Sequence, residues 1–89
     1  MIETKIKIIN KLGLHARASA KFVSTTARFS SHIEITKDSQ TVNGKSIMGV
    51  MMLAANKGSE LTLSIEGPDE VEMEKAVVAL INDCFGEPE

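Results

Sequence analysis

The feature that most limits how this chain can fold is the repeated change in the spacing of its apolar residues. Within 89 residues they switch from every second position to every third or fourth, and back. Ile2, Thr4, Ile6 and Ile8 fall on one side of the opening segment and Glu3, Lys5 and Lys7 on the other. That is the period of a half-buried strand from Ile2 to Ile8. After Gly13, Leu14, Ala18 and Phe22 recur at every fourth position, widened by Ala16, Ala20, Val23 and Ala27, in an alanine-rich run that predicts a helix from Ala16 to Ala27. Ile33 and Ile35 then alternate with Glu34 and Thr36, and the polar group Lys37, Asp38, Ser39 turns the chain into Gln40 to Val42 as a hairpin. Asn43 and Gly44 end the hairpin, and Ser46 stands as the N-cap of a short apolar helix that begins at Ile47 and stops before Gly58. Leu61, Leu63 and Ile65 alternate with Glu60, Thr62, Ser64 and Glu66 as a fourth strand, which Gly67 and Pro68 break. Asp69 caps a last helix, with Glu72 completing a capping-box-like start and Val77, Leu80, Ile81 and Cys84 as an apolar face ending near Gly86.

The order is therefore βαββαβα, an α+β arrangement in which helices gathered on one face cover a sheet that could not stand alone. At this length one domain is expected, spanning residues 1–89, because the chain can bury one modest core and not two. A single cysteine, Cys84, excludes an internal disulfide framework, and with only His15 and His32 beside it there are too few ligands for the usual structural zinc site. No metal and no cofactor are expected, and the reduced composition implies a cytoplasmic protein. The N-terminal segment lacks the apolar stretch of a signal peptide, and the longest apolar run, Ile47 to Ala55, is far short of the roughly 18 residues that span a bilayer.

The net charge of −2 conceals an asymmetry. Residues 1–57 hold nine Lys or Arg against three acids, net +6; residues 58–89 hold one Lys against nine acids, net −8. One surface suited to anions and another that maintains solubility are implied. Nucleic acid is disfavoured as a partner: the only three aromatics are Phe, and none lies in a basic patch where bases could stack.

A histidine such as His15, at the start of a helix, needs no function. Three coincident features give it one. The unpaired backbone N–H groups of the opening turn, around Ala16, Arg17 and Ala18, form an anion site for a phosphoryl group. The helix dipole disfavours imidazolium and so favours a neutral, nucleophilic ring. Arg17 offers a planar fork for phosphate oxygens. These parts fit nucleophilic phosphoryl transfer to a ring nitrogen. They do not fit hydrolysis, since no carboxylate or second histidine is close in sequence to serve as a base. Ser46, an ordinary N-cap on its face, would also accommodate a phosphate at a helix start beside Lys45. Gly44-Lys45-Ser46 imitates the end of a P-loop, but the earlier glycine that motif requires is Ser39 here. The short helix carries more apolar residues than one buried face uses, and its methionines suit an adaptable docking patch. His32 reads as an exposed strand-end residue and Cys84 as a small core residue.

Asn10-Lys11-Leu12-Gly13-Leu14-His15-Ala16-Arg17-Ala18-Ser19 resembles the active-site signature of HPr, the histidine-containing phosphocarrier family of the bacterial phosphoenolpyruvate-dependent phosphotransferase system. Val42-Asn43-Gly44-Lys45-Ser46-Ile47-Met48-Gly49-Val50-Met51 resembles that family's regulatory serine signature. The likeness runs from about Ile2 to Phe85. It implies an open-faced β-sandwich, a four-stranded antiparallel sheet covered on one face by three helices. It also implies a monomeric carrier rather than an enzyme, in which His15 accepts a phosphoryl group on Nδ1 from phosphorylated enzyme I and passes it to an enzyme IIA domain. Arg17 and the backbone of Ala16 and Arg17 would cradle the group, and Ser46 would be the target of an ATP-dependent HPr kinase/phosphorylase. Leu14, Ala20, Lys45, Ile47, Met48 and Met51 would form the docking surface. The alternative is a purely regulatory module of this family, read out through phospho-Ser46. One departure stands out: many members carry proline after the arginine, where this chain has Ala18, so the first helical turn loses a pre-set φ while its N–H groups stay available.

Overall fold

The computed structural model describes residues 1–89. Its elements are β1 (Ile2–Lys7), α1 (Ala16–Thr26), β2 (His32–Lys37), β3 (Gln40–Asn43), α2 (Ile47–Met52), β4 (Glu60–Glu66) and α3 (Glu70–Asn82), followed by a 3₁₀ turn at Cys84–Gly86. All four strands pair antiparallel in the order β1-β4-β2-β3. The period-two pattern sets the register. Ile2 faces Ile65, Thr4 faces Leu63 and Ile6 faces Leu61 across β1 and β4, while Ile33 faces Ile65 and Ile35 faces Leu63 across β2 and β4. A slip of one residue would turn every one of these isoleucines and leucines to water. The opposite face carries Glu3, Lys5, Lys7 and Glu34 into solvent.

Sixteen buried apolar residues form one cluster between the sheet and the helices. Phe22 and Ala18 come from α1, Val50 from α2 with Leu53 at its end, and Met73, Val77 and Ile81 from α3. The buried stripe of α1 differs from the expected one. Ala16 and Ala27 are exposed, whereas Ser19 and Thr26 are buried. Two backbone carbonyls make this possible: Ser19 Oγ donates to Leu14 O at 3.1 Å and Thr26 Oγ1 to Gly44 O at 2.9 Å. A hydroxyl so paired is buried without loss.

Three further expectations need correction. The second helix ends at Met52, and the chain reaches Gly58 through non-helical backbone that includes Ala54 at φ 50°. The third helix ends at Asn82, and Cys84 is half-buried in the turn beyond it. The core position there belongs to Phe85, buried although its φ is 56°. Asp69 occupies the N-cap position of α3 without capping it. Its carboxylate accepts instead from the N–H groups of Ser30 at 2.9 Å and Ser31 at 2.8 Å, and from Ser31 Oγ. Asp69 therefore fastens the α1–β2 connection to the start of α3. Gly67, at φ +152°, lets the chain pass so close to Ser31 that a Cβ would lie 2.6 Å from Ser31 Cα.

Candidate functional site

His15 is the N-cap residue of α1, in extended conformation, and its side chain makes no cap hydrogen bond. The approach to it is fixed on both sides. Gly13 adopts φ +68° against the loop after α2, where a Cβ would sit 2.4 Å from Ala55 O, so only glycine fits. Leu14 N–H then donates to Ala55 O at 2.8 Å, and His15 O accepts from Ser19 N–H at 2.8 Å. The N–H groups of Ala16, Arg17 and Ala18, which have no partner inside the helix, find none elsewhere in the chain. No acidic residue lies in this first turn. The helix start is thus left open, with its partial positive charge uncompensated by the helix's own side chains.

One group that the sequence did not reveal completes the site. Glu87, 72 positions away, sets its carboxylate against Nε2 of His15 and leaves the ring 28% exposed. The same carboxylate accepts from Asn10 Nδ2 at 2.9 Å. Asn10 is fully buried; it also donates to Gly13 O at 2.9 Å, and its Oδ1 has no partner. Burial pushes the Glu87 carboxyl up, but the Asn10 amide, the His15 hydrogen bond and the charges of His15 and Lys21 outweigh it and hold the group below its ordinary range. Lys21 anchors the tail, donating to Phe85 O at 2.7 Å. Glu89 lies 3.8 Å from Lys11 Nζ.

These contacts revise the charge picture. The two surfaces are not fully separate, since Glu87 and Glu89 of the acidic segment return to His15 and Lys11 of the basic one. Lys21 is tied to the tail, and Lys45 donates to Phe29 O at 2.7 Å. Of Arg17, Lys21 and Lys45, only Arg17 has no ion pair or hydrogen bond. A surface recess opens here, bounded by Lys11, Leu12, His15, Ala16, Arg17 and the tail.

Ser46 is the N-cap of α2, and unlike His15 it caps, accepting from Gly49 N–H at 3.1 Å. Beyond it Ile47, Met48, Met51 and Met52 are exposed, Met48 to 70%, while Val50 and Leu53 point into the core. Ala20 is half-buried. Leu14, expected among the docking residues, is only 5% exposed and packs in the core; Leu12, at 65%, is the exposed leucine beside His15. No helix is long and apolar enough to cross a membrane.

The molecule thus joins an open-faced sheet, a histidine at an uncapped helix start and an exposed apolar helix that begins at a capping serine. The family model for the phosphotransferase-system HPr component phosphorylation site matches residues 2–83. Phosphocarrier protein HPr of Neisseria meningitidis serogroup B is 55% identical over 89 residues, covering all of both chains. The protein of the same name from Cupriavidus necator is 52% identical, again over the whole of both. The crystal structure of HPr-C-His from Thermoanaerobacter tengcongensis superimposes with a TM-score of 0.96 at 52% identity over 100% of each chain. This chain belongs to the HPr family of phosphocarriers of the phosphotransferase system, carriers rather than catalysts.

Proposed function

We propose that His15 takes a phosphoryl group on Nδ1 from phosphorylated enzyme I and gives it to an enzyme IIA domain. The observation that carries this reading is the division of labour on the ring. Nε2 is engaged by Glu87, which leaves the Nδ1 lone pair for nucleophilic attack, at the threshold of a helix whose first three N–H groups are unpaired. Arg17, free of other partners, supplies the fork that neutralises phosphate oxygens. Leu12, Ile47, Met48 and Met51, with Ala20 and Lys45 beside them, form the docking surface, and flexible methionines suit one patch to several partners. Ser46 is the regulatory site for an HPr kinase/phosphorylase: its phosphate would add about −1.5 to −2 charge next to that patch and weaken the encounter with enzyme I. A module read out through phospho-Ser46 alone would leave the His15, Glu87 and Asn10 arrangement without a use. The carrier acts as a cytoplasmic monomer.

Incubation with enzyme I, Mg²⁺ and phosphoenolpyruvate, followed by intact-mass measurement, tests the assignment. An acid-labile phosphate is expected on the protein and not on His15→Ala. A wild-type chain that stays unmodified would refute the carrier reading. With the kinase and ATP, an acid-stable phosphate is expected that Ser46→Ala lacks.

A further inference from the structure

We propose that Glu87 is the counter-charge of the phosphorylated ring: its carboxylate holds the proton on Nε2 of His15 and stabilises the cation that forms when Nδ1 gains phosphorus. The inference rests on His15 being the phosphoryl acceptor. In the transfer, the Nδ1 lone pair forms the N–P bond, the bond from phosphorus to the donor breaks, and its electron pair remains on the donor. No proton need leave the ring, so a neutral imidazole becomes a cation with hydrogen on Nε2. A carboxylate hydrogen-bonded to that N–H stabilises the cation, as the aspartate of a catalytic triad does for its histidine.

The carboxylate is held in place before the reaction. Asn10 is fully buried and directs both amide hydrogens to acceptors, Gly13 O and Glu87 Oε1, even though its Oδ1 is left unpaired. An unpaired buried acceptor is tolerated where the geometry it secures is needed. Phe85 seats the tail in the core, Gly86 turns it at φ +78°, and Lys21 holds Phe85 O. The charged groups around the ring are Glu87 and Glu89 from the tail, Arg17 and Lys21 from α1, and Lys11 from the loop before it. Lys11 and Arg17 balance Glu87 and Glu89 in the lining of the recess, and Lys21 acts on Glu87 from behind it, so Glu87 can neutralise the ring without giving the recess a net negative charge that would repel an incoming phosphoryl group. A ring that keeps its Nε2 proton also leaves as neutral imidazole rather than imidazolate when the phosphoryl group moves on.

The test uses the phosphorylated full chain. Ring ¹⁵N and ³¹P resonances are followed against pH in wild type, in Glu87→Gln, and in Glu72→Gln, which makes the same change in net charge on the far-off start of α3. The phosphorylated ring of Glu87→Gln is expected to lose its Nε2 proton about one pH unit lower than wild type, the size of shift a nearby opposite charge produces. Its onward transfer should fall off correspondingly earlier as pH rises, while Glu72→Gln follows wild type. Superimposed curves for Glu87→Gln and wild type, or an equal shift in Glu72→Gln, would overturn the counter-charge alone. Absence of phosphate from wild-type His15 would overturn both this inference and the assignment beneath it.

Discussion

The starts of α1 and α2 are built alike and finished oppositely. Each follows a glycine two residues before its N-cap, and each N-cap is in extended conformation. Ser46 turns its oxygen back on its own helix and closes one of the free amides; His15 gives its helix nothing, and its ring goes to a residue from the other end of the chain. One helix start is a structural joint, the other an open socket. What separates them is side-chain chemistry. A hydroxyl is short enough to reach the third amide of the turn, whereas an imidazole is held clear of it and leaves the amides for a ligand.

Substitution at each end should break this contrast in opposite directions. The largest effect expected is complete loss of phosphoryl uptake in His15→Ala, read by mass, with a stability loss of only about 1 kcal/mol that comes from the Glu87 contact and not from a cap; a loss that persists in His15→Ala when Glu87 is also replaced by Gln would mean that His15 serves the helix after all. Gly13→Ala should lower stability by about 3 kcal/mol, since φ +68° and the close approach to Ala55 O both reject a Cβ, and denaturant unfolding at unchanged m-value is the check. Ser46→Ala should cost about 1 kcal/mol, the usual value for an N-cap, while phosphoryl uptake by His15 proceeds at the wild-type rate. A stability equal to wild type would show that the Gly49 hydrogen bond is not a cap in energetic terms.

The third helix start supplies the smallest effect. The hydrogen bond from Ser31 Oγ, with those from the Ser30 and Ser31 amides, holds the Asp69 carboxyl below its ordinary value of 3.8 despite some desolvation. A lowered folded-state pKa stabilises the protein above the unfolded value and ceases to do so as pH falls through the folded one. Asp69→Asn should therefore be less stable than wild type at neutral pH, with the gap closing below about pH 4 as the carboxylate is protonated. Thermal melts across that range give the comparison; a gap independent of pH would assign the loss to geometry rather than charge.

Nearly all of the fold was legible because alternation and helical spacing are local properties. Ile33, Ile35, Leu61, Leu63 and Ile65 all declare the buried face by period alone. The errors arose where a distant group competed for a local one. Asp69 before a helix reads as a cap, but the Ser30 and Ser31 amides, far away in sequence, take its oxygens. Leu14 belongs to a signature that suggests contact with partners, yet it lies in the core. Phe85 gives no signal because a break after Asn82 rotates it inward, out of the helical spacing that Cys84 continues in the sequence. His15, Arg17 and Ser46 stood out through their flanking glycines and helix starts. Glu87 carried no such signal, being one acid among nine in the C-terminal segment, and only the path of the tail brings it to the ring.

The strand order has a bearing on how the molecule is made. β4 lies between β1 and β2 and pairs with both, yet it is the last strand in the chain. On the ribosome, β1 leaves the exit tunnel first and has no neighbour until residues 60–66 follow it out. The hairpin of β2 and β3 can form early, but the sheet must wait until β4 has emerged. Isoleucines of β1 and β2 therefore stay without their β4 partners until residues 60–66 emerge, a window in which a nascent-chain chaperone has the most to shield.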